Sequence, residues 1–151
     1  MAYYSLEEIL SKMQSYCAYQ ERSHFQVEQK LRDFDLVPEA KDYILMKLME
    51  DNFLNEERFA RTYVRSKFYH NKWGKRKIIN GLKQHRIHPN LIEKSLEEIS
   101  PDEYIRLIQS LIEKKKNEFS TKNNFQKKQK IINYMLQKGF DYEDIKPYTK
   151  L

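Results

Sequence analysis

Apolar side chains recur at helical spacing along nearly the whole chain. Leu6, Ile9, Leu10, Met13 and then Tyr16 or Cys17 follow the i, i+3, i+4, i+7 rule. Phe59, Ala60, Tyr63, Val64 and Phe68 repeat it, as do Tyr104, Ile105, Ile108, Leu111 and Ile112. Polar start signals punctuate these stripes. Ser5 with Glu8, Ser23 with Gln26 and Ser100 with Glu103 have the spacing of capping boxes, in which two backbone N–H groups find side-chain acceptors. Pro38, Pro89 and Pro101 stand where a first helical residue belongs, because proline lacks an N–H that would be orphaned there anyway. Asn55 before Glu56 and Glu57 marks another start, with negative charge at the positive end of the helix dipole. The pattern predicts nine helices, over residues 6–20, 23–34, 38–52, 56–70, 74–86, 89–99, 101–119, 124–138 and 141–148. The fold class is all-α.

The stripes also repeat at longer range. "VEQKLRDFDLVPEA" from Val27, "IINGLKQHRIHPNL" from Ile78 and "IINYMLQKGFDYED" from Ile131 align at offsets of 51 and 53 residues. Val27, Ile78 and Ile131 then match, as do Leu31, Leu82 and Met135, and Leu36, Ile87 and Phe140. Self-similarity at such a period is the mark of stacked supersecondary units. Three tandem three-helix units are expected, 1–53, 54–99 and 100–151, with hinges near Asn52–Asn55 and Ser100–Pro101. Units that lean only on their neighbours build an elongated, curved body.

Composition narrows the class further. Only three Gly and four Pro in 151 residues leave too few turn residues for a strand-rich protein. A single cysteine, Cys17, excludes an internal disulfide framework and points to a reducing compartment. The N-terminal residues lack the basic start and apolar run of a signal peptide, and no stretch approaches the roughly 18 apolar residues of a membrane span. A cytoplasmic location without membrane attachment is expected.

Charge is unevenly spread. Residues 1–57 carry six basic and twelve acidic groups, and residues 93–151 carry twelve and ten. Residues 58–92 carry ten basic groups and no acidic one: Arg58, Arg61, Arg65, Lys67, Lys72, Lys75, Arg76, Lys77, Lys83 and Arg86. Such a field steers polyanions. Arg58, Arg61 and Arg65 share one helical stripe, while Lys72, Lys75, Arg76 and Lys77 cluster about the helix start at Trp73–Gly74. A stretch that forgoes every local Glu–Lys pair accepts self-repulsion, which argues for an external anion; the bland alternative is a solvated helix face. A second basic set, Lys114, Lys115, Lys116, Lys122, Lys127, Lys128 and Lys130, surrounds only Glu118. The aromatics threaded through the first stretch, Phe59, Tyr63 and Phe68, lie on other faces than the arginines, so most are core rather than base-stacking platforms.

Catalytic constellations are missing. His85 and His88 are three apart but are separated by the turn at Ile87–Pro89, with no carboxylate or thiol nearby in sequence, so a solvated or phosphate-facing role is expected. Gly74, Gly81 and Gly139 stand alone and build no phosphate-cradling loop. Carboxylate pairs such as Glu7–Glu8, Glu56–Glu57 and Glu97–Glu98 sit at helix starts or on wet faces. No enzyme activity, cofactor or metal is expected.

At "FLNEERFARTYVRSK" and "KWGKRKIINGLKQHRI" the chain resembles the RecX family, modulators of the RecA recombinase. Leu54, Arg58, Phe59, Ala60, Gly74, Ile78 and Leu82 fill that family's signature places, Arg22–Ser23 with Glu28 and Leu31 resembles its first-unit motif, and Lys138–Gly139–Phe140 resembles its Lys-Gly-Phe turn. Asn55 and Glu56 replace the usual Asp pair, and His85–Arg86–Ile87 lacks the glycine expected at the second turn. The resemblance implies three tandem three-helix units and a regulator that binds RecA filaments. Such a protein inhibits ATP hydrolysis, strand exchange and co-protease activity, and so modulates DNA repair and the SOS response. On this reading the ten basic residues above form the contact, the second set extends it, single- or double-stranded DNA is touched without sequence preference, and the chain is a monomer. Two other readings stay open. One is a helix-turn-helix-like protein binding DNA directly, although residues 89–99 carry Glu93, Glu97 and Glu98, a poor choice against phosphates. The other is a helical scaffold for an acidic protein.

Overall fold

The computed structural model describes residues 3–119 and 123–150, and among them every regular element is helical. In chain order these are α1 (Leu6–Tyr19), α2 (His24–Leu31), α3 (Pro38–Glu50), α4 (Glu56–Tyr69), α5 (Lys75–Gln84), α6 (Pro89–Ser95), α7 (Pro101–Glu118), α8 (Asn124–Gln137) and α9 (Tyr142–Ile145). The element predicted over 23–34 stops early. Arg32, Asp33 and Phe34 each donate to a carbonyl three residues back, which tightens the chain out of the α-helix. α6 and α9 likewise run on into 3-10 turns, Leu96–Glu98 and Lys146–Tyr148. Ser23 and Gln26 form a complete capping box, and the hydroxyls of Ser5 and Ser100 accept from the N–H groups of Glu8 and Glu103. Asn55 Oδ1 accepts from Arg58 N at 3.0 Å, and the three prolines occupy first helical turns.

The repeat is visible in burial. Val27, Ile78 and Ile131 are each 0% exposed, and Leu31, Leu82 and Met135 are buried as well. Ile87 and Phe140 are buried at the third matched position, whereas Leu36 stays half-buried where it lines an open cleft with Tyr4, Phe34 and Val37. After α5 and α8 the chain turns through a left-handed residue, Arg86 (φ 58°) and Gly139 (φ 100°). Ile87 N then bonds back to Leu82 O, and Phe140 N to Met135 O, which is the Schellman closure of a helix. The missing glycine is thus replaced by an arginine held in a conformation that costs an L-residue about 1–2 kcal/mol.

Buried side chains divide into two clusters. One belongs to α1–α3 with Leu54; the other runs unbroken through α4–α9. The first joint is therefore mostly polar. Arg58 Nε donates to Glu21 Oε1, Ser23 Oγ lies 2.9 Å from His85 Nδ1, and the Arg86 guanidinium sits 4.6 Å from the Phe25 ring centre. The second joint is a shared core sealed by backbone. Gly74 N donates to Lys138 O at 2.7 Å, Arg76 N to Gly139 O at 3.0 Å and Lys75 N to Tyr104 Oη at 3.0 Å. These donors lie at the start of α5, where a helix leaves its own N–H groups without partners, so the third unit caps the second. Burial pushes the Tyr104 phenol up to about 12, which keeps it neutral. The accessible surface, 9679 Å², exceeds the roughly 8,200 Å² of a compact monomer of this mass, as a row of small helical units requires.

Candidate functional site

The arginines of α4 do not form an open stripe. Arg61 donates to Glu57 Oε1 at 3.3 Å and to Glu98 Oε1 at 3.0 Å, and Arg65 Nη1 lies 3.3 Å from Glu98 Oε2. Lys94 closes on the same Glu57 at 3.2 Å. Arg58 is held by Glu21, and Arg76 by Asp141 Oδ1 at 3.0 Å and by the Leu136 carbonyl. The stretch 58–92 therefore does not forgo ion pairs; it draws its carboxylates from outside itself. The hydrogen bond from Arg61 holds the Glu98 carboxyl below the usual carboxylate range, and Lys94 and then Arg61 do the same for Glu57. Arg61 and Arg65 tie α4 to the end of the second unit, and Arg58 and Arg76 tie that unit to its neighbours.

The other six basic residues of the stretch, Lys67, Lys72, Lys75, Lys77, Lys83 and Arg86, form no ion pair among the described residues. Several lean on aromatic rings. Lys67 Nζ lies 4.8 Å from the Trp73 ring centre and 5.4 Å from that of Tyr63. Lys77 Nζ is 4.5 Å from Trp73, and Lys75 Nζ is 4.6 Å from Tyr104. Rings supply their electron-rich faces, which attract a cation without neutralising it. Lys72 follows α4 in a left-handed conformation (φ 58°) and is exposed, as is Lys83.

Lys138 belongs to this group although neither basic set includes it. Its Nζ donates to the Asn71 carbonyl at 2.8 Å, across the second joint. Burial pushes its ammonium pKa down, and repulsion from Lys77, Lys72 and Lys115 adds to the effect. Cations from the turn after α4, from α5 and from the turn after α8 thus converge on one seam. The sequence offered Lys138 only as part of a turn motif, because its distance along the chain from Lys72 and Lys77 hides the convergence.

The rest of the second set is more dispersed. Lys115 pairs with Glu118 at 2.7 Å while resting 4.3 Å from the Tyr134 ring centre. Lys116 Nζ donates to the Lys150 carbonyl at 3.3 Å, and Lys130 Nζ is 5.9 Å from the Phe119 ring centre. Lys114, Lys127 and Lys128 form no ion pair among the described residues, and Lys122 lies outside them. Phe59 and Phe68 are core, but Tyr63 and Trp73 are only partly covered. His85 is half-buried rather than freely solvated: it is bonded to Ser23 and packed against Phe59 at a ring distance of 4.9 Å. His88 caps α6, its Nδ1 accepting from Asn90 N at 3.1 Å. Cys17 is buried on the apolar side of α1, and burial pushes its thiol pKa up. Among the described residues no helix is long and apolar enough to cross a membrane.

Comparison with known proteins agrees with this architecture. Residues 55–96 match the family model for the second three-helix domain of RecX, and residues 102–148 match that for the third. The regulatory protein RecX of Bacillus cytotoxicus is 30% identical over 131 residues, covering 87% of this chain and 48% of the relative. That of Lactobacillus gasseri is 31% identical over 134 residues, covering 85% and 48%. The chain spans about half the length of the curated relatives it matches. The crystal structure of RecX from Lactobacillus salivarius superposes with a TM-score of 0.86 at 27% identity, covering 95% of this chain and 93% of that one. Two matched domains in the right order, in a body of three-helix repeats that superposes nearly end to end, place the chain in the RecX family of regulatory proteins.

Proposed function

We propose that the chain is a non-enzymatic regulator that binds RecA filaments on DNA and restrains their ATP hydrolysis, strand exchange and co-protease activity, tempering DNA repair and the SOS response. It acts as a monomer in the cytoplasm, with three units, 1–53, 54–99 and 100–151, laid along the filament. The observation that carries the contact assignment is the convergence of Lys72, Lys77 and Lys138 on the seam between the second and third units, where Lys138 Nζ reaches the Asn71 carbonyl, flanked by Lys67 at Trp73. Like charges gathered on a folded surface await an anion from elsewhere. Arg58 and Arg76 support that surface by holding the units in register, and Arg61 and Arg65 by bracing the second unit internally; they meet the partner only through whatever capacity their own carboxylates leave. Lys75, Lys83 and Arg86 border the seam's unit, and Lys114, Lys116, Lys127, Lys128 and Lys130 extend the basic field over the third unit.

The test is the single-stranded-DNA-dependent ATPase of RecA, and the length of its filaments, with and without this protein. Inhibition with filament-dependent binding supports the proposal. Protection of a defined DNA sequence without RecA would instead favour the direct DNA-binding reading, to which Glu93 and Glu97 on and beside α6 are already poorly suited.

A further inference from the structure

A cleft of about 410 Å³ opens at the joint of the first and second units, between the end of α1 and the side of α4. Its volume is in the range of small-ligand sites. Three rings form one wall. Phe59 and His85 lie 4.9 Å apart, Tyr63 and His85 5.7 Å, and Phe59 and Tyr63 5.9 Å, all between ring centres. Gln20, Gln26, Thr62 and Ser66 complete the lining with amides and hydroxyls. Gln26 uses its carbonyl oxygen in the capping box with Ser23 N, which leaves the amide NH2 as a donor. The one carboxylate on the lining, Glu21, is engaged by Arg58. Lys67 stands at the rim and faces both Tyr63 and Trp73.

We propose that this cleft receives a single unstacked nucleobase of a single-stranded nucleic acid. The base lies against the exposed part of Tyr63 and the edge of His85, and its hydrogen-bonding edge meets Gln20, Gln26, Thr62 and Ser66. Lys67 takes the adjoining phosphate, and the strand continues past Trp73 to Lys77. Aromatic stacking beside a cationic track is the common physical solution for gripping an unpaired strand, and amides and hydroxyls suit the polar edge of a base. An acidic peptide would use the lysines but would leave the ring wall and the amides without a role. Burial, with Lys67 adding to it, pushes the His85 pKa down, so a neutral ring faces the base. The inference extends the filament reading to the nucleic acid itself and rests on that reading only in placing a strand against the protein.

The experiment uses the full chain without RecA. Fluorescence anisotropy compares a labelled 20-nucleotide thymidine strand with an abasic strand of the same length and charge. Loss of the bases should weaken binding by about tenfold, the effect of stacking one base. Gln26 anchors a helix cap, so the variant of choice is Ser66→Trp, which fills the cleft from α4 and should weaken the thymidine strand toward the abasic value. Circular dichroism and denaturant midpoint establish that the variant folds; should it not, photocrosslinking of a 5-iodouridine strand to the unaltered protein reads the same site, with adducts expected at Tyr63 or His85. Equal affinity for the two strands, or crosslinks confined to other residues, overturns the proposal. RecA ATPase inhibition is measured in parallel: inhibition that persists while base-dependent binding is absent overturns the cleft assignment alone, and base-dependent binding without inhibition overturns the filament reading alone.

Discussion

Replacing Gly74 with alanine probes the close backbone-to-backbone approach of the second and third units. Gly74 has φ −75° and ψ 164°, a conformation that any residue adopts. In open space the change would stabilise the protein by about 0.4–1 kcal/mol, because alanine has less freedom to lose on folding. Here the added Cβ would fall inside the van der Waals radii of the Gly139 carbonyl and of Phe140 N, all of them backbone atoms. Backbone cannot rotate aside, so the two loops must separate. Separation breaks Gly74 N to Lys138 O (2.7 Å) and stretches Arg76 N to Gly139 O (3.0 Å). Each buried backbone group that loses its partner costs about 1–3 kcal/mol. With the gain from reduced chain freedom set against one such loss and one weakened bond, the expected net destabilisation is about 2 kcal/mol. Urea unfolding followed by far-ultraviolet circular dichroism measures it, and the fluorescence of Trp73, the neighbouring residue, reports whether the seam itself opens first. A variant as stable as the parent, or more stable, refutes the claim that this contact locks the second and third units.

Other substitutions probe the remaining devices. Arg86→Gly relieves the left-handed strain and should stabilise the chain by about 1 kcal/mol, less whatever the contact with Phe25 contributes; the urea midpoint reads the difference. Gly81→Ala places a methyl against the phenol end of Tyr63, the far end of a half-buried side chain that must shift to make room, so stability should fall by about 1 kcal/mol while the tyrosine environment changes in near-ultraviolet circular dichroism. For the Arg61–Glu98 clamp, the folded carboxyl pKa is lowered relative to the unfolded chain. Its stabilising contribution is therefore complete above the ordinary glutamate range and is lost as pH falls through the lower folded value. The stability gap between the parent and Glu98→Gln should be largest near neutral pH and vanish in acid; a gap that widens on acidification contradicts the assignment.

Much of the fold was legible because its signals are local. Stripes at helical spacing, Ser23 with Gln26, the three first-turn prolines and the matched set of Val27, Ile78 and Ile131 all act within a few residues or within one helix face. The end of α2 was misplaced because Arg32 to Phe34 still carry a helix-like pattern while their hydrogen bonds have already tightened. The candidate site was less legible, since its electrostatics are made at a distance. Arg58 finds Glu21 and Arg61 finds Glu98 across 37 positions, and Arg76 finds Asp141 across 65. No count of charge within residues 58–92 reveals those partners, so paired arginines and unpaired lysines looked alike. Lys138 was hidden for the same reason. Trp73, with an ammonium from α4 and another from α5, acquires its role only when the helices meet.

The lysine seam as the gripping surface is tested most directly by charge reversal. Lys67→Glu, Lys72→Glu and Lys77→Glu together, in a chain whose circular dichroism is unchanged, should raise the concentration needed for half-inhibition of the RecA ATPase by tenfold or more, on the order of the steering lost with a basic patch. Arg61→Gln, which removes a paired charge, should leave that concentration nearly unchanged at the same temperature and salt. Undiminished inhibition by the triple variant, or a loss as large from Arg61→Gln alone, would contradict the account.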